Sequence, residues 1–187
     1  MRKIYFITGN KSKFEEASRI LENLDIQLVQ KNLSLKETRS LNQEEVVREK
    51  ARQAFSRLKA PVLADDTGIY FEEYEIFPGT YTKFLFKAIG FEGVDRLLKG
   101  KNKDAFFKTL ICYKDRKNEK VFSGIWKGRI TENISKKFNP DWQYNSIFIP
   151  ENSKKVLAEI RLEERAKKSH RKKAFDKLIK FLGGKNG

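Results

Sequence analysis

The stretch Ile4-Tyr5-Phe6-Ile7-Thr8-Gly9-Asn10-Lys11-Ser12-Lys13-Phe14-Glu15-Glu16-Ala17-Ser18-Arg19-Ile20 decides how the chain is read. Ile4 to Ile7 has the length and apolar composition of a buried strand. Gly9-Asn10 breaks that run. From Lys11 to Leu24 the pattern is helical, with Phe14, Ala17, Ile20 and Leu21 on one face. A buried strand turning sharply into a helix is the opening unit of an α/β layer. Such a turn aims the free N–H groups of the helix start beyond the strand end, where they attract phosphate, and Lys11 or Lys13 can add full charge. The second glycine that precedes the Lys-Ser/Thr pair of a Walker loop is absent, since Asn10 stands before Lys11-Ser12. Taken alone, Thr8-Gly9-Asn10 is more often an ordinary connection than a phosphate grip, because short Gly-containing turns are common.

Working outward, Ile26–Val29 reads as a second short strand and Leu33 to Leu41 as a loop. Gln43 to Leu58 is a strong helix, with Val46, Val47, Ala51, Ala54, Phe55 and Leu58 spaced for burial. Pro61 introduces the buried strand Val62-Leu63-Ala64, which ends in Asp65-Asp66-Thr67-Gly68. Helices are expected over Lys83–Ile89 and Gly93–Leu98. Ala105–Tyr113 and Lys120–Ile130 alternate as a pair of long strands joined by the polar turn Lys114–Asn118. Ser146–Ile149 reads as one more strand, closed by Pro150. Lys167 to Leu182 reads as one basic amphipathic helix that Gly183-Gly184 stops. No internal repeat, low-complexity tract or linker interrupts the 187 residues. One domain over 1–187, with two lobes, is the economical expectation.

Composition bounds the function. Hydrophobic residues make up 39% and phenylalanines number fifteen, which supports a packed globule. No apolar run is long enough to cross a bilayer, and the start MRKIYFITGN lacks the features of a signal peptide. The single cysteine, Cys112, allows no internal disulfide and fits a reducing cytoplasm. The formal charge of +15 favours anionic partners, and nucleic acid is the first to consider. Acids nevertheless interleave with the basic residues, as in EEVVREKARQ and RLEERAKKSHRKK. A solvated, ion-pair-rich surface explains that spread at least as well.

Five constellations can carry chemistry. The first is the opening turn. The second is Asp65-Asp66-Thr67-Gly68, where a carboxylate at a strand end could hold Mg²⁺ or take a proton from water; an Asx-type turn is the plain reading. Adjacent strand residues face opposite ways, so at most one of the two acids points into a given site. Glu37, third, is ordinarily solvated in a polar loop and matters only if the fold carries it beside Asp66. Fourth, Ser169-His170-Arg171 contains the only histidine. Such a residue among lysines is normally exposed, unless Ser169 caps the helix while His170 and Arg171 present donors to a ligand. Fifth, Phe138-Asn139-Pro140-Asp141-Trp142-Gln143-Tyr144 offers a flat face for a base, or a plug for the core.

The order and spacing of these pieces give more than any one of them. From Phe6 to about Phe181 the sequence resembles the inosine triphosphate pyrophosphatase family, and its archaeal branch most. The motifs are T-G-N-x-x-K at Thr8–Lys13, Glu37 with Lys50-Ala51, D-D-T-G at Asp65–Gly68, F-P-G-T-Y-T-K at Phe77–Lys83, S-I-F-I-P at Ser146–Pro150 and S-H-R-K-K-A at Ser169–Ala174. The resemblance implies a long, twisted, mixed β-sheet flanked by helices, in two lobes with a nucleotide cleft between them. It implies that Thr8, Asn10 and Lys13, with Gly9, Lys11 and Ser12 in the same turn, bind triphosphate, joined by Lys50. Glu37 and Asp66 match magnesium-site carboxylates, Asp66 also the general base, and Thr67 a substrate-contacting hydroxyl. Trp142, Gln143, Tyr144 and Asn145 fall where the family places an aromatic-Gly-aromatic-Asp base pocket. His170 and Arg171 match the groups that read the purine, and Arg165 stands at the family's base-side lysine.

The implied reaction is Mg²⁺-dependent attack of water on the α-phosphorus of ITP, dITP or XTP, releasing pyrophosphate and a nucleoside monophosphate. Donors from His170, Arg171 and backbone N–H groups would welcome a 6-oxo purine and repel the 6-amino group of adenine. Asn145 replaces an acceptor-only carboxylate with an amide that also donates, so an altered base preference is the alternative within enzymes. A basic nucleic-acid-binding protein is the alternative outside them; it leaves the acids at Glu37 and Asp66 without a purpose. The family's usual state implies a homodimer, with no membrane partner.

Overall fold

The computed structural model of the chain describes residues 2–137 and 142–183. The 138–141 portion of the aromatic loop, with Phe138 and Asp141, and the stop residue Gly184 lie outside them. The described strands are β1 (Arg2–Ile7), β2 (Ile26–Lys31), β3 (Val62–Phe71), β4 (Asp104–Lys114), β5 (Glu119–Ile130) and β6 (Phe148–Pro150). They form one sheet in the order β2-β1-β3-β4-β5-β6. β1 runs parallel to β2 and β3, and every later pairing is antiparallel. The sheet is therefore mixed, as expected, and the fold is α/β. The helices are α1 (Lys11–Leu21), α2 (Gln43–Leu58), α3 (Thr82–Leu98), α4 (Leu162–Lys168) and α5 (His170–Phe181).

Strand alternation sorts the core. Ile4, Phe6, Leu63, Ile111 and Tyr113 face α1 and α5, where Ala17, Leu21, Ala174, Phe175 and Leu178 meet them. Their neighbours Ile7, Val62, Ala64, Leu110 and Cys112 face Val47, Ala51 and Ala54 of α2 on the other side. A period of two in the strands and of 3.6 in the helices thus builds two layers on one half of the sheet. The far half packs Ile69, Phe71, Phe107, Trp126 and Phe148 against Val94 and Leu98 of α3. The core is divided along the sheet into these two halves.

Three expectations needed correction. The Asp65-Asp66-Thr67-Gly68 segment does not end its strand. β3 runs on to Phe71, because β4 pairs with its whole length from Val62↔Lys114 to Phe71↔Ala105. It is β1 that stops, at Ile7↔Ala64, so both acids lie just past the carboxyl end of their parallel neighbour. The Lys167–Leu182 helix is two helices, broken at Ser169, which is extended (φ −66°, ψ 164°) and whose Oγ caps α5 by accepting from Lys172 N at 3.1 Å. Ser146 belongs to a 3-10 turn over Gln143–Ser146, and the last strand starts at Phe148 with Pro150 inside it. That strand pairs with β5 alone, and an edge tolerates the missing N–H. α3 carries one break, at Gly90 (φ 62°, ψ −166°), between the two helices read from sequence.

Gly124 fixes how closely α5 approaches the sheet. A Cβ built there would lie 1.9 Å from the His170 carbonyl oxygen and 2.6 Å from Ala174 N. Only a residue without a side chain permits this backbone-to-backbone seating.

The turn between β4 and β5 is tied to α2 by charge. Glu119 accepts from Arg52 at 2.8 Å and Arg48 at 3.1 Å and pairs with Lys114 at 3.3 Å. Hydrogen bonds from Arg52, then from Arg48 and Lys114, outweigh partial burial and draw its carboxyl down from 4.5 to about 2. Folding lowers this pKa, so the stabilisation is complete above about pH 4.5 and is lost as pH falls toward about 2. The urea-midpoint gap between wild type and Glu119→Gln is expected to be steady near pH 7 and to close below about pH 3. A gap that persisted in acid would show that the carboxylate contributes nothing.

Candidate functional site

The opening turn is built by its own side chains. Thr8, buried just after β1, accepts from Asn10 N at 3.1 Å. Asn10 caps α1, its Oδ1 accepting from Lys13 N at 3.0 Å. Gly9 lies so near Asn32 that a Cβ would sit 3.0 Å from its Oδ1. Lys11 is exposed and Ser12 is half-buried in the first helical turn. Lys13 reaches down to the sheet, where Nζ donates to Asp65 Oδ1 at 3.0 Å.

Asp65 and Asp66 point to opposite faces of β3, as alternation requires. Asp65 joins the α1/α5 side, where it is 1% exposed and pairs with Lys13 and with Arg171 Nη2 at 3.3 Å. Burial alone would raise its pKa. The charges of Lys13, Arg171 and Lys50 outweigh burial and hold it well below the carboxylate range. Asp66 joins the α2 side. Its Oδ2 is buried and makes no hydrogen bond. Burial pushes its carboxyl up, against the pull of Lys13 and Lys50. Lys50, on α2, donates to the Asp65 carbonyl at 3.1 Å. Burial lowers its ammonium pKa, with Asp65 opposing.

The opposite face holds a closed network. Arg171 is fully buried and ion-paired with both Glu16 and Asp65. Glu16 also accepts from Ser169 Oγ. Arg171 Nη2 donates to Thr67 Oγ1 at 3.1 Å, Thr67 lies 2.7 Å from Thr109 Oγ1, and Thr109 lies 2.6 Å from His170 Nδ1. Thr67 and Thr109 are register partners across β3 and β4. Burial first, then the nearby Arg171 charge, lowers the His170 pKa well below 6.5, so the ring is neutral at pH 7.

Beside this network lies a cavity of about 20 Å³, lined by Ser12, Glu16, Trp142, Asn145, His170 and Arg171 among others. Arg165 also lines it and is held by Nε donating to the Ile160 carbonyl at 2.9 Å. The Trp142 ring lies 5.1 Å from the Arg171 guanidinium and 5.9 Å from Lys13 Nζ. Asn145 Oδ1 and Arg171 Nε are buried and without a partner. Tyr144 packs instead into the core, 5.5 Å from Phe86 and 6.2 Å from Phe71. Neither it nor Gln143 lines the cavity.

Thr8, Asn10, Lys13, Lys50, Asp66, Thr67, His170 and Arg171 thus gather on both faces of β3 near the end of β1. Glu37 is exposed in the loop before α2 and has no direct bond to Asp66. That loop is fastened at Lys36, whose N and O bond the Gln53 side chain at 2.9 and 3.1 Å, and at Ser40 O, which accepts from Thr80. Four residues of the neighbourhood escaped the sequence reading. Glu16 and Thr109 belong to the network. Gln43 Nε2 bonds the Asp66 and Lys108 carbonyls, each at 3.2 Å. Lys83, exposed at the start of α3, is near enough for its charge to lower the Lys50 pKa. Two of the four had a signal: Lys83 closes the Phe77–Lys83 motif, and Glu16 stands three residues from Lys13 on the helix stripe that carries Ala17.

The chain is similar to known proteins over nearly its whole length. A model of the Ham1 family matches residues 4–181. The dITP/XTP pyrophosphatase of Saccharolobus solfataricus is 38% identical over 181 residues, covering 96% of this chain and 93% of that protein. The dITP/XTP pyrophosphatase of Methanopyrus kandleri is 35% identical over 181 residues, covering 96% and 95%. In three dimensions the chain is similar to a HAM1 protein from Coxiella burnetii, with a TM-score of 0.82, 24% identity and coverage of 98% and 99%; that likeness bears on the fold. Relatives of this identity over nearly the whole length, and a family match spanning every constellation above, lead to one assignment: the chain belongs to the Ham1 family.

Proposed function

We propose that the chain hydrolyses non-standard purine nucleoside triphosphates, XTP, dITP and ITP, to the monophosphate and pyrophosphate with Mg²⁺. Family membership makes it a hydrolase, a nucleoside triphosphate pyrophosphatase. The observation that carries the finer reading is the buried, partnerless Asp66 Oδ2 on a strand whose adjoining groups include Lys13 and Lys50. A carboxylate oxygen with no protein donor fits a hard cation or a water. Among the described residues no three acid, histidine or cysteine side chains group as a metal site. Asp66 and Glu37 would hold Mg²⁺, with waters and phosphate oxygens completing the shell. When bound, the ion supplies charge neutralisation at the phosphate oxygens.

The chain's own residues supply the rest. The N–H groups of the Asn10-capped helix start and Lys13 hold the outer phosphates. Lys50 offsets charge that grows on the oxygens during attack. Asp66, its pKa raised by burial, orients the attacking water and takes its proton. Asp65 stays ionised and positions Lys13 and Arg171. His170, Arg171, Arg165, Trp142 and Asn145 meet the base. A cavity of about 20 Å³ holds a single water, so a purine enters only as lining side chains give way. The amide at Asn145 favours an altered base preference as the second reading. No described helix is long and apolar enough to cross a membrane. A cytoplasmic homodimer, each copy a single domain over 1–187, belongs to the same proposal.

A panel of triphosphates with magnesium, scored by pyrophosphate release, tests this. XTP and dITP are expected to exceed ATP in kcat/KM by at least about a hundredfold. Equal rates would remove the donor pocket as the purine reader. Polynucleotide binding with steep salt dependence and no turnover would favour the nucleic-acid reading.

A further inference from the structure

We propose that Thr109 sets base selectivity by holding the His170 ring in the tautomer whose Nε2 carries the hydrogen; this rests on His170 reading the purine.

Counting hydrogens along the line of hydroxyls fixes its polarity. A hydroxyl has one to donate. Thr67 Oγ1 accepts from Arg171, a group that can only donate, at 3.1 Å. Its own hydrogen has two destinations, Thr109 Oγ1 at 2.7 Å and Asp65 Oδ2 at 3.5 Å. The first is a normal O–H···O distance and the second lies at its outer edge. Asp65 is already supplied by Lys13 and Arg171. With the Thr67 hydrogen pointing to Thr109, the Thr109 hydrogen points onward to His170 Nδ1 at 2.6 Å. Nδ1 is then an acceptor, and a neutral ring so bonded keeps its one hydrogen on Nε2.

The ring is held in this pose. It stacks on Phe107 at 5.2 Å and 27°, follows the Ser169 cap, and is drawn onto the sheet at Gly124, the register partner of Thr109. His170 lines the cavity, and Nε2 makes no hydrogen bond among the described residues. An Nε2–H donor suits the 6-oxo group of hypoxanthine or xanthine and opposes the 6-amino group of adenine. In the opposite polarity, running from Nδ1–H through both threonines to Asp65, Nε2 would become an acceptor and welcome adenine. Thr109 touches no substrate in this scheme. It is a positioning residue whose hydroxyl selects what His170 offers.

The chain holds one histidine, so the imidazole ¹⁵N spectrum reports this ring alone. In the wild type the Nε2–H tautomer is expected. Thr109→Val should admit the Nδ1–H form and lower the ITP-to-ATP ratio of kcat/KM by about tenfold. Thr109→Ser should keep both wild-type properties, which a purely structural role would not require. An Nδ1–H ring in the wild type overturns the proposal, even if Thr109→Val proves unstable. So does a ring state unchanged by the valine. A shifted tautomer with an unchanged ratio overturns the selectivity role and His170 as reader together. A wild type that turns over none of the 6-oxo triphosphates overturns the activity reading itself, whatever the ring state.

Discussion

In Asp66→Asn, pyrophosphate release from XTP is expected to fall by about a thousandfold, the scale of a lost general base. The isosteric amide fills the same space but cannot accept a proton or carry charge to a cation. Stability should move the other way. The folded protein raises the Asp66 pKa, so the ionised carboxylate is held at a cost at pH 7, and a neutral side chain relieves it. The variant is therefore expected to melt at or slightly above the wild-type temperature. Activity lost with stability kept marks a residue retained for chemistry. Turnover within a few-fold of wild type would remove Asp66 from the mechanism.

Glu16→Ala should be the most damaging change for the fold, at about 3–5 kcal/mol, the usual cost of stripping one partner from a buried pair. Arg171 has no exposed side-chain surface, and Glu16 is one of its two carboxylates. With Glu16 gone, Asp65 must serve Lys13 and Arg171 alone. Ser169, the cap between α4 and α5, would lose the acceptor for its hydroxyl as well. Urea denaturation at pH 7 measures the loss, and Glu16→Gln should recover part of it by keeping an acceptor in place. A midpoint unchanged in the alanine variant would mean that Asp65 alone satisfies the guanidinium.

The long periodic elements were legible because many residues agree on each. Gln43–Leu58 came out with the observed bounds, since six apolar positions and the flanking residues all point to one helix. What failed was local chemistry overruled by distant pairing. Asp65-Asp66-Thr67-Gly68 has the composition of a turn, yet β4 zips the backbone through it, and nothing near residue 66 announces a partner more than forty residues away. The break at Ser169 was legible only in the reading that Ser169 caps a helix, which the structure bears out, because the lysines on both sides suit either helix or solvent. The motifs singled out Thr8–Lys13, Asp66 and His170-Arg171, which the fold gathers around β3. They could not show that Arg171 is buried, because its acid partners sit far back in the chain. Thr109 gave only its inward place in the alternation Phe107, Thr109, Ile111, Tyr113, which looks like core until His170 lands on it.

The bare glycine under α5 leaves the helix and its strand no slack. Even a methyl group at position 124 would work as a shim, prying the His170-Arg171 end outward by more than a hydrogen bond can stretch. Helix and sheet behave as one plate here, so the helix cannot be re-aimed to suit a different base. On the proposed function, a change in which purine is accepted would come from side chains rather than from the helix, either those bordering the cavity, such as Asn145 and Arg165, or Thr109 behind the His170 ring.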